Sequence, residues 1–103
     1  MASTEECLEY VLDLLGDVDG IRHRKMMGEY VLYCRDKVFG GIYDDRFLIK
    51  TTDSVQLLLP NAPQQLNYEG GSMMTSVESD DRALVSHVVD AMWAELPALK
   101  KKR

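Results

Sequence analysis

Residues 28–51, GEYVLYCRDKVFGGIYDDRFLIKT, constrain the fold more than any other stretch of the chain. Aromatic and β-branched residues concentrate there, and short polar breaks recur at regular spacing. That is the pattern of antiparallel strands joined by tight hairpins. It predicts strands over Tyr30–Arg35, Val38–Tyr43 and Arg46–Thr51, with Asp36-Lys37 and Asp44-Asp45 as two-residue loops. Such loops fix the register, so cross-strand neighbours follow directly. Cys34 is expected opposite Phe39, Leu32 opposite Gly41 and Tyr30 opposite Tyr43. In the second pair Tyr43 is expected opposite Arg46, Gly41 opposite Leu48 and Phe39 opposite Lys50.

This register sorts the side chains onto two faces. Val31, Tyr33, Val38, Ile42, Phe47 and Ile49 make an almost wholly apolar face, expected to lie against helices. Tyr30, Leu32, Cys34, Phe39, Tyr43, Arg46, Leu48 and Lys50 make a face that mixes rings with cations, as a partner-facing surface does. Gly40 and Gly41 sit in mid-strand, where glycine normally weakens a sheet. They are read as making room for Tyr33 on one side and Leu32 or Leu48 on the other. Neither loop contains Gly or Asn, so a longer, bulged turn is the alternative, and a one-residue slip would exchange the two faces.

The flanking segments read as helices and edge structure. Ser3 and Glu6 form a capping box, followed by Cys7, Leu8, Val11, Leu12 and Leu15 at helical spacing, with Gly16 placed to end the helix. Ile21–Met26 reads as a short edge strand, with Ile21, His23 and Lys25 on one side and Arg22, Arg24 and Met26 on the other. Cations suit such an edge because they discourage sheet-to-sheet pairing. Ser54–Leu59 is a short helix capped by Thr52 or Asp53 and stopped by Pro60. NAPQQLNYEGGS is a long irregular stretch anchored by Leu66 and Tyr68. Ser72–Val77 is a candidate fifth strand. Ser79 is expected to cap a last helix whose apolar stripe is Leu84, Val85, Val88, Val89, Met92 and Leu96, with Trp93 on its margin and Pro97 at its end. The expected fold is α+β: a single domain over residues 1–97, with an antiparallel sheet of four to five strands and the N- and C-terminal helices packed on one face. Residues 98–103 are expected to be a basic, disordered tail.

At 103 residues the chain is long enough for one modest core. It has no apolar run near the roughly 20 residues of a membrane span, and MASTEECLEY lacks the layout of a secretory signal, so the expected compartment is the cytoplasm, with no membrane partner. Cys7 and Cys34 have neither metal nor redox spacing and are read as core thiols. The net charge is −5. Arg22, Arg24 and Lys25 carry three positive charges and the tail Lys100–Arg103 carries four, which leaves −12 on the remainder. A body so acidic repels a phosphate backbone, so direct nucleic-acid binding is disfavoured except through the basic tail.

No catalytic residue, metal site or cofactor is expected. Asp44-Asp45 is the one adjacent acidic pair of the sheet region, and acidic residues at a hairpin tip are read as turn formers. His23, Cys34, His87 and Cys7 are scattered over four elements with no chelating spacing. Arg22, Arg24 and Lys25 form a candidate anion site. Arg24, Lys25 and Lys50 with Tyr30, Tyr43 or Tyr68 would suit a phosphorylated small molecule or nucleotide, although no glycine-rich phosphate loop leads into a helix. The favoured candidate is a protein-contact surface made of Tyr30, Phe39, Tyr43, Arg46, Leu48 and Lys50, open to a protein partner or to a second copy in a homodimer. Its rival has the loop bearing Leu66 and Tyr68 folded over that face.

RKMMGEYVLYCRDKVFGGIYDDRFLIK, LNYEGGSMM, the Asp-Asp-Arg that opens the terminal helix, and LPALKKKR together resemble the TfoX N-terminal domain (Sxy-like) family. The resemblance spans about Glu5 to Arg103, and its most specific part is Met26, Gly28 and Tyr30 followed by Leu32-Tyr33 and the Asp44-Asp45-Arg46 turn. The chain departs from the family pattern at Met27, where an aromatic residue is common, at Val31, where glycine is common, and at Arg35-Asp36-Lys37, which lacks the usual Asp-Gly hairpin. The family takes its name from bacterial regulators of DNA-uptake competence, whose full-length members carry a second, C-terminal domain that these residues do not include. The resemblance therefore implies a stand-alone α+β domain that acts by contacting another macromolecule, with no enzymatic activity attached to it.

Overall fold

Three two-residue turns organise the sheet, and each carries left-handed backbone at both positions. In a computed structural model that describes residues 3–66, 71 and 73–96, φ is positive at Met27 and Gly28, at Arg35 and Asp36, and at Asp44 and Asp45. This geometry matches the right-handed twist of hairpin strands, and Gly28 supplies the only glycine among these six positions. The turns join β1 (Ile21–Met26), β2 (Glu29–Cys34), β3 (Lys37–Tyr43) and β4 (Arg46–Ile49) into a continuous antiparallel meander. Met27-Gly28 is thus a tight hairpin turn rather than a plain connection.

The chain then forms α2 (Asp53–Leu58), capped by Thr52, whose hydroxyl accepts from the Val55 amide. Next come β5 (Gln64–Leu66) and β6 (Met73–Ser76), which pair with each other, and β6 also pairs with β4. Among the described residues the result is one six-stranded antiparallel sheet in the order β1-β2-β3-β4-β6-β5. β5 lies inside the stretch expected to be irregular, which adds a strand to the expected four or five. Tyr68, Pro97 and the basic tail 98–103 fall outside the described residues.

α1 (Glu5–Leu14) and α3 (Arg82–Trp93) pack with α2 on one face of the sheet, as expected of the terminal helices. Leu8, Val11, Leu14 and Leu15 of the first helical segment meet Val85, Val88, Val89 and Met92 of α3 in one core with the sheet. The caps differ from the sequence reading. Thr4 caps α1 by accepting from the Cys7 amide, and Asp81 caps α3 by accepting from the Ala83 and Leu84 amides. Ser3 is drawn inward instead, where its hydroxyl donates to Glu29 at 2.6 Å and accepts from the Asp45 amide at 3.0 Å. Ser79 accepts from the Asp81 amide, one step upstream of the cap it was expected to provide.

Trp93 fastens α3 to the turn between β2 and β3. Its indole Nε1 donates to the Cys34 carbonyl at 2.7 Å, and Lys37 Nζ sits 3.9 Å from the ring centroid while donating to the Trp93 carbonyl. The Arg35 guanidinium lies 5.1 Å from the same ring and pairs with Asp90 at 3.2 Å. Cations over an indole add modest attraction to the area buried. This clamp also holds Arg35 in its left-handed conformation.

A bulge decides which side chains meet the helices. Cys34 pairs with Lys37 and Tyr33 with Val38, but the register then shifts, so that Leu32 pairs with Gly40, Val31 with Gly41 and Tyr30 with Ile42. Phe39 is the extra residue. The β3–β4 register is as expected, with Tyr43 opposite Arg46 and Gly41 opposite Leu48. The expected faces therefore exchange in part. Ile42, Phe47 and Ile49 do lie in the core, but they are joined there by Tyr30, Leu32, Cys34 and Phe39. Val31, Tyr33 and Val38 remain partly exposed on the other side.

Candidate functional site

The face of the sheet turned away from the three helices is the candidate site. Strand alternation and cross-strand pairing assign its members. Arg22, Arg24 and Met26 come from β1, Val31 and Tyr33 from β2, Val38, Gly41 and Tyr43 from β3, Arg46 and Leu48 from β4, and Lys50 from the residue just after it, whose amide donates to the Phe39 carbonyl. Val31, Tyr33, Val38 and Tyr43 form a partly exposed apolar and aromatic band across its middle. Arg22 and Arg24 flank the band on one side, Arg46 and Lys50 on the other.

Glycine shapes this face at one position. A Cβ on Gly41 would come 2.5 Å from the Tyr30 carbonyl oxygen and 2.6 Å from the Tyr43 ring, so the ring can lie down over β3 only because that residue is glycine. Gly40 is required for another reason: a Cβ there would strike the backbone of β4 at Leu48 and Ile49. Both glycines do serve close packing, against the β4 backbone, Leu48 included as one of the expected neighbours, and against Tyr43 in place of Tyr33 and Leu32.

The sequence-derived partner surface divides. Tyr30 and Phe39 are in the core at 4% and 0% exposure, and Leu48 is buried on the outer face at 0%. None of the three can meet a partner directly. The reason for the first two is the bulge, which turns Tyr30 and Phe39 toward the helices. Tyr43, Arg46 and Lys50 stay partly exposed. Arg46 is held in place: its Nε donates to the Tyr43 carbonyl, one terminal nitrogen to Gln65 Oε1 at 2.6 Å and the other to the Leu66 carbonyl. Leu66 itself is 45% exposed and does not fold over the face.

The candidate anion site also divides. Arg22 and Arg24 share this face, uncovered in the sense that no described helix packs on it, and with His23, Tyr33 and Asp36 they line an open groove of about 340 Å³. Lys25 projects to the other side, opposite Tyr30. Lys50 stands at the end of β4, just beyond Ile49 and three strands from β1, so the imagined pocket of Arg24, Lys25 and Lys50 does not assemble. A second groove of about 330 Å³ includes Val38, Tyr43, Lys50, Met73 and Met74 in its lining.

The chemistry of reactive groups is structural where it is resolved. Asp45 accepts from the Thr4 amide at 2.7 Å and from its hydroxyl at 3.2 Å, tying the β3–β4 turn to the start of α1. Burial pushes both the Cys7 and Cys34 thiols up, with Asp45 adding to the effect at Cys7. Hydrogen bonds from Ser54 and Thr52 hold the Glu95 carboxyl below its usual range. Among the described residues no three His, Cys, Asp or Glu side chains come together to hold a metal ion, and no helix is long and apolar enough to cross a membrane.

Comparison with known proteins places the molecule. The sequence matches the TfoX N-terminal domain over residues 13–96. The chain belongs to that family. It is also 39% identical over 54 residues to a protein of Spirochaeta aurantia described as an uncharacterized 12.7 kDa protein in the trpE 5′ region. That match covers 52% of this chain and 47% of the relative, so the chain spans about half the length of the curated relative it matches. No solved structure matches the chain. In this TfoX N-terminal domain the matched residues run from the last two residues of α1 to just past α3, so they take in the whole described sheet and its uncovered face.

Val31, Tyr33 and Val38 are the members of that face which sequence reasoning assigned to the core. The signal that could have found them is Gly40, since a glycine in mid-strand often marks a bulge. Met27, 99% exposed at the turn between β1 and β2, had no place in the sequence reading of the surface, whereas Met26, 48% exposed, was placed with Arg22 and Arg24 on the edge strand.

Proposed function

We propose that this TfoX N-terminal domain is a non-enzymatic regulatory domain of the cytoplasm that contacts a protein partner through the uncovered face of its sheet. The observation that carries the reading is the asymmetry of the sheet. All three helices cover one face, while the other presents Val31, Tyr33, Val38 and Tyr43 between Arg22 and Arg24 on one flank and Arg46 and Lys50 on the other. Tyrosine and arginine are the residues that most often anchor interfaces, and a preformed sheet loses little conformational entropy when it docks. Arg46 is already fixed by its three neutral acceptors, and among the described residues no carboxylate pairs with it. The partner fitting this arrangement has an apolar patch with an acidic rim.

The test uses substitutions that leave the core intact. Tyr33→Asp and Val38→Asp place a carboxylate in the middle of the band, whereas Tyr10→Asp alters an exposed residue of α1 on the helical side. Proteins that co-purify with the wild type from native cells should be lost with the first two variants and kept with the third. Sedimentation of the purified chain shows whether the partner is a second copy. Retention of every partner by Tyr33→Asp and Val38→Asp would defeat the reading.

A further inference from the structure

β1 is the long free edge of the sheet. Among the described residues it hydrogen-bonds to β2 alone, whereas the opposite edge, β5, is three residues long. Every β1 residue from Arg22 to Met26 is exposed. An edge of that length offers a row of unpaired backbone donors and acceptors, which is a template for another strand. The question is which strand it accepts.

The side chains answer it. Arg22, Arg24 and Lys25 have no carboxylate partner among the described residues, although the chain is acidic overall and the only ion pairs described are Arg35–Asp90 and Arg82–Asp17. A second copy pairing edge to edge would bring these cations against their own equivalents, and like charges directly opposite on a sheet are destabilising. The charges that exclude self-pairing attract carboxylates instead. Beyond them the strand runs into Met26 and Met27, whose flexible thioethers stand at the hairpin tip and suit an adaptable apolar contact.

We infer that β1 is a docking edge for an extended acidic segment of another protein, which adds to the sheet as a seventh strand. Its carboxylates sit at alternate positions opposite Arg22 and Arg24, and an apolar residue beyond them meets Met26 and Met27. Main-chain hydrogen bonds supply affinity in such β-addition, and side chains on alternate positions supply selectivity. Arg22 and Arg24 also flank the uncovered face, but the main-chain edge belongs to β1 alone, so an N-methylated peptide separates strand addition from docking on that face.

The probe is a synthetic decapeptide alternating glutamate with threonine and ending in phenylalanine, titrated into the full chain and followed by amide chemical shifts. The expected result is saturable binding that shifts the β1 amides, weakens with salt, and falls about tenfold or more in the doubly exposed variant Arg22→Glu/Arg24→Glu. The same peptide N-methylated on the residues whose amides would face β1 should not bind. Equal binding of the N-methylated peptide would overturn strand addition and leave only charge attraction. Absence of binding, shifts confined to residues outside β1, or tighter binding of a single-stranded oligonucleotide of equal charge would each overturn the inference as a whole.

Discussion

Exchanging Leu32 and Val31 for alanine, one at a time, tests the bulge that sets the two faces of the sheet. Leu32 is fully buried in the core and pairs across the sheet with Gly40, which has no side chain to close over a void. A buried Leu→Ala change costs about 2–5 kcal/mol, depending on how far the site collapses. The glycine opposite favours a value of at least about 3 kcal/mol on that scale. For a domain of this size each kcal/mol lowers Tm by roughly 4–8 °C, so Leu32→Ala should lower it by roughly 12–24 °C. Val31 is partly exposed on the uncovered face and sits opposite Gly41. Its loss removes little buried area, and Val31→Ala should cost less than about 1 kcal/mol. The assay is urea and thermal unfolding followed by the fluorescence of Trp93, the single tryptophan. A Val31→Ala protein as destabilised as Leu32→Ala would refute the assigned register.

Three further outcomes follow from individual contacts. Asp44 and Asp45 both hold positive φ, but only Asp45 is engaged by Thr4; Asp44→Gly should therefore stabilise by about 0.5–1 kcal/mol, and Asp45→Gly should fall about 1 kcal/mol below it in the same urea titration. Cys34 is fully buried and its thiol, raised by burial, donates to the Asp19 carbonyl, so a thiol-specific chromophoric reagent should label Cys7 slowly in the native protein and Cys34 only on unfolding. Glu95 has its folded-state pKa depressed by hydrogen bonds from Ser54 and Thr52, so its contribution is present above the unfolded carboxyl value and is lost as pH falls through the folded one. The difference in urea midpoint between wild type and Glu95→Gln should accordingly shrink on moving from neutral pH to below about pH 4.

The parts of the fold legible in the sequence were those fixed by local chemistry. Asp44-Asp45 set the β3–β4 register correctly because a two-residue turn leaves no freedom. The helical stripes gave the core face of α3 and, in the first helical segment, Leu8, Val11 and Leu15, while Leu14 was missed and Cys7 and Leu12 lie at the core margin. The β2–β3 hairpin was displaced by one residue, its turn falling at Arg35-Asp36, because no glycine marks it and the left-handed Arg35 is held by distant groups: Asp90, Trp93 and the Gly20 carbonyl. The bulge at Phe39 then changed the parity of β3. In combination these sent Tyr30, Leu32 and Phe39 inward and left Val31 and Tyr33 outside. Local propensity carries no record of either event. The cap at Thr4 rather than Ser3 has the same origin, since Ser3 is recruited by Glu29 and Asp45, far away in the chain. Of the candidate site, Tyr43, Arg46 and Lys50 were legible because they lie beyond the bulge, on the strand pair whose register was right.

Site-specific photo-crosslinking in cells measures the proposed contact most directly. A benzophenone side chain at position 33 lies on the uncovered face near the β2–β3 turn, and one at position 10 lies on the exposed side of α1. Position 33 is expected to yield a discrete protein adduct and position 10 none. Adducts at position 10 with none at position 33 would contradict the assignment of the uncovered sheet face as the contact surface.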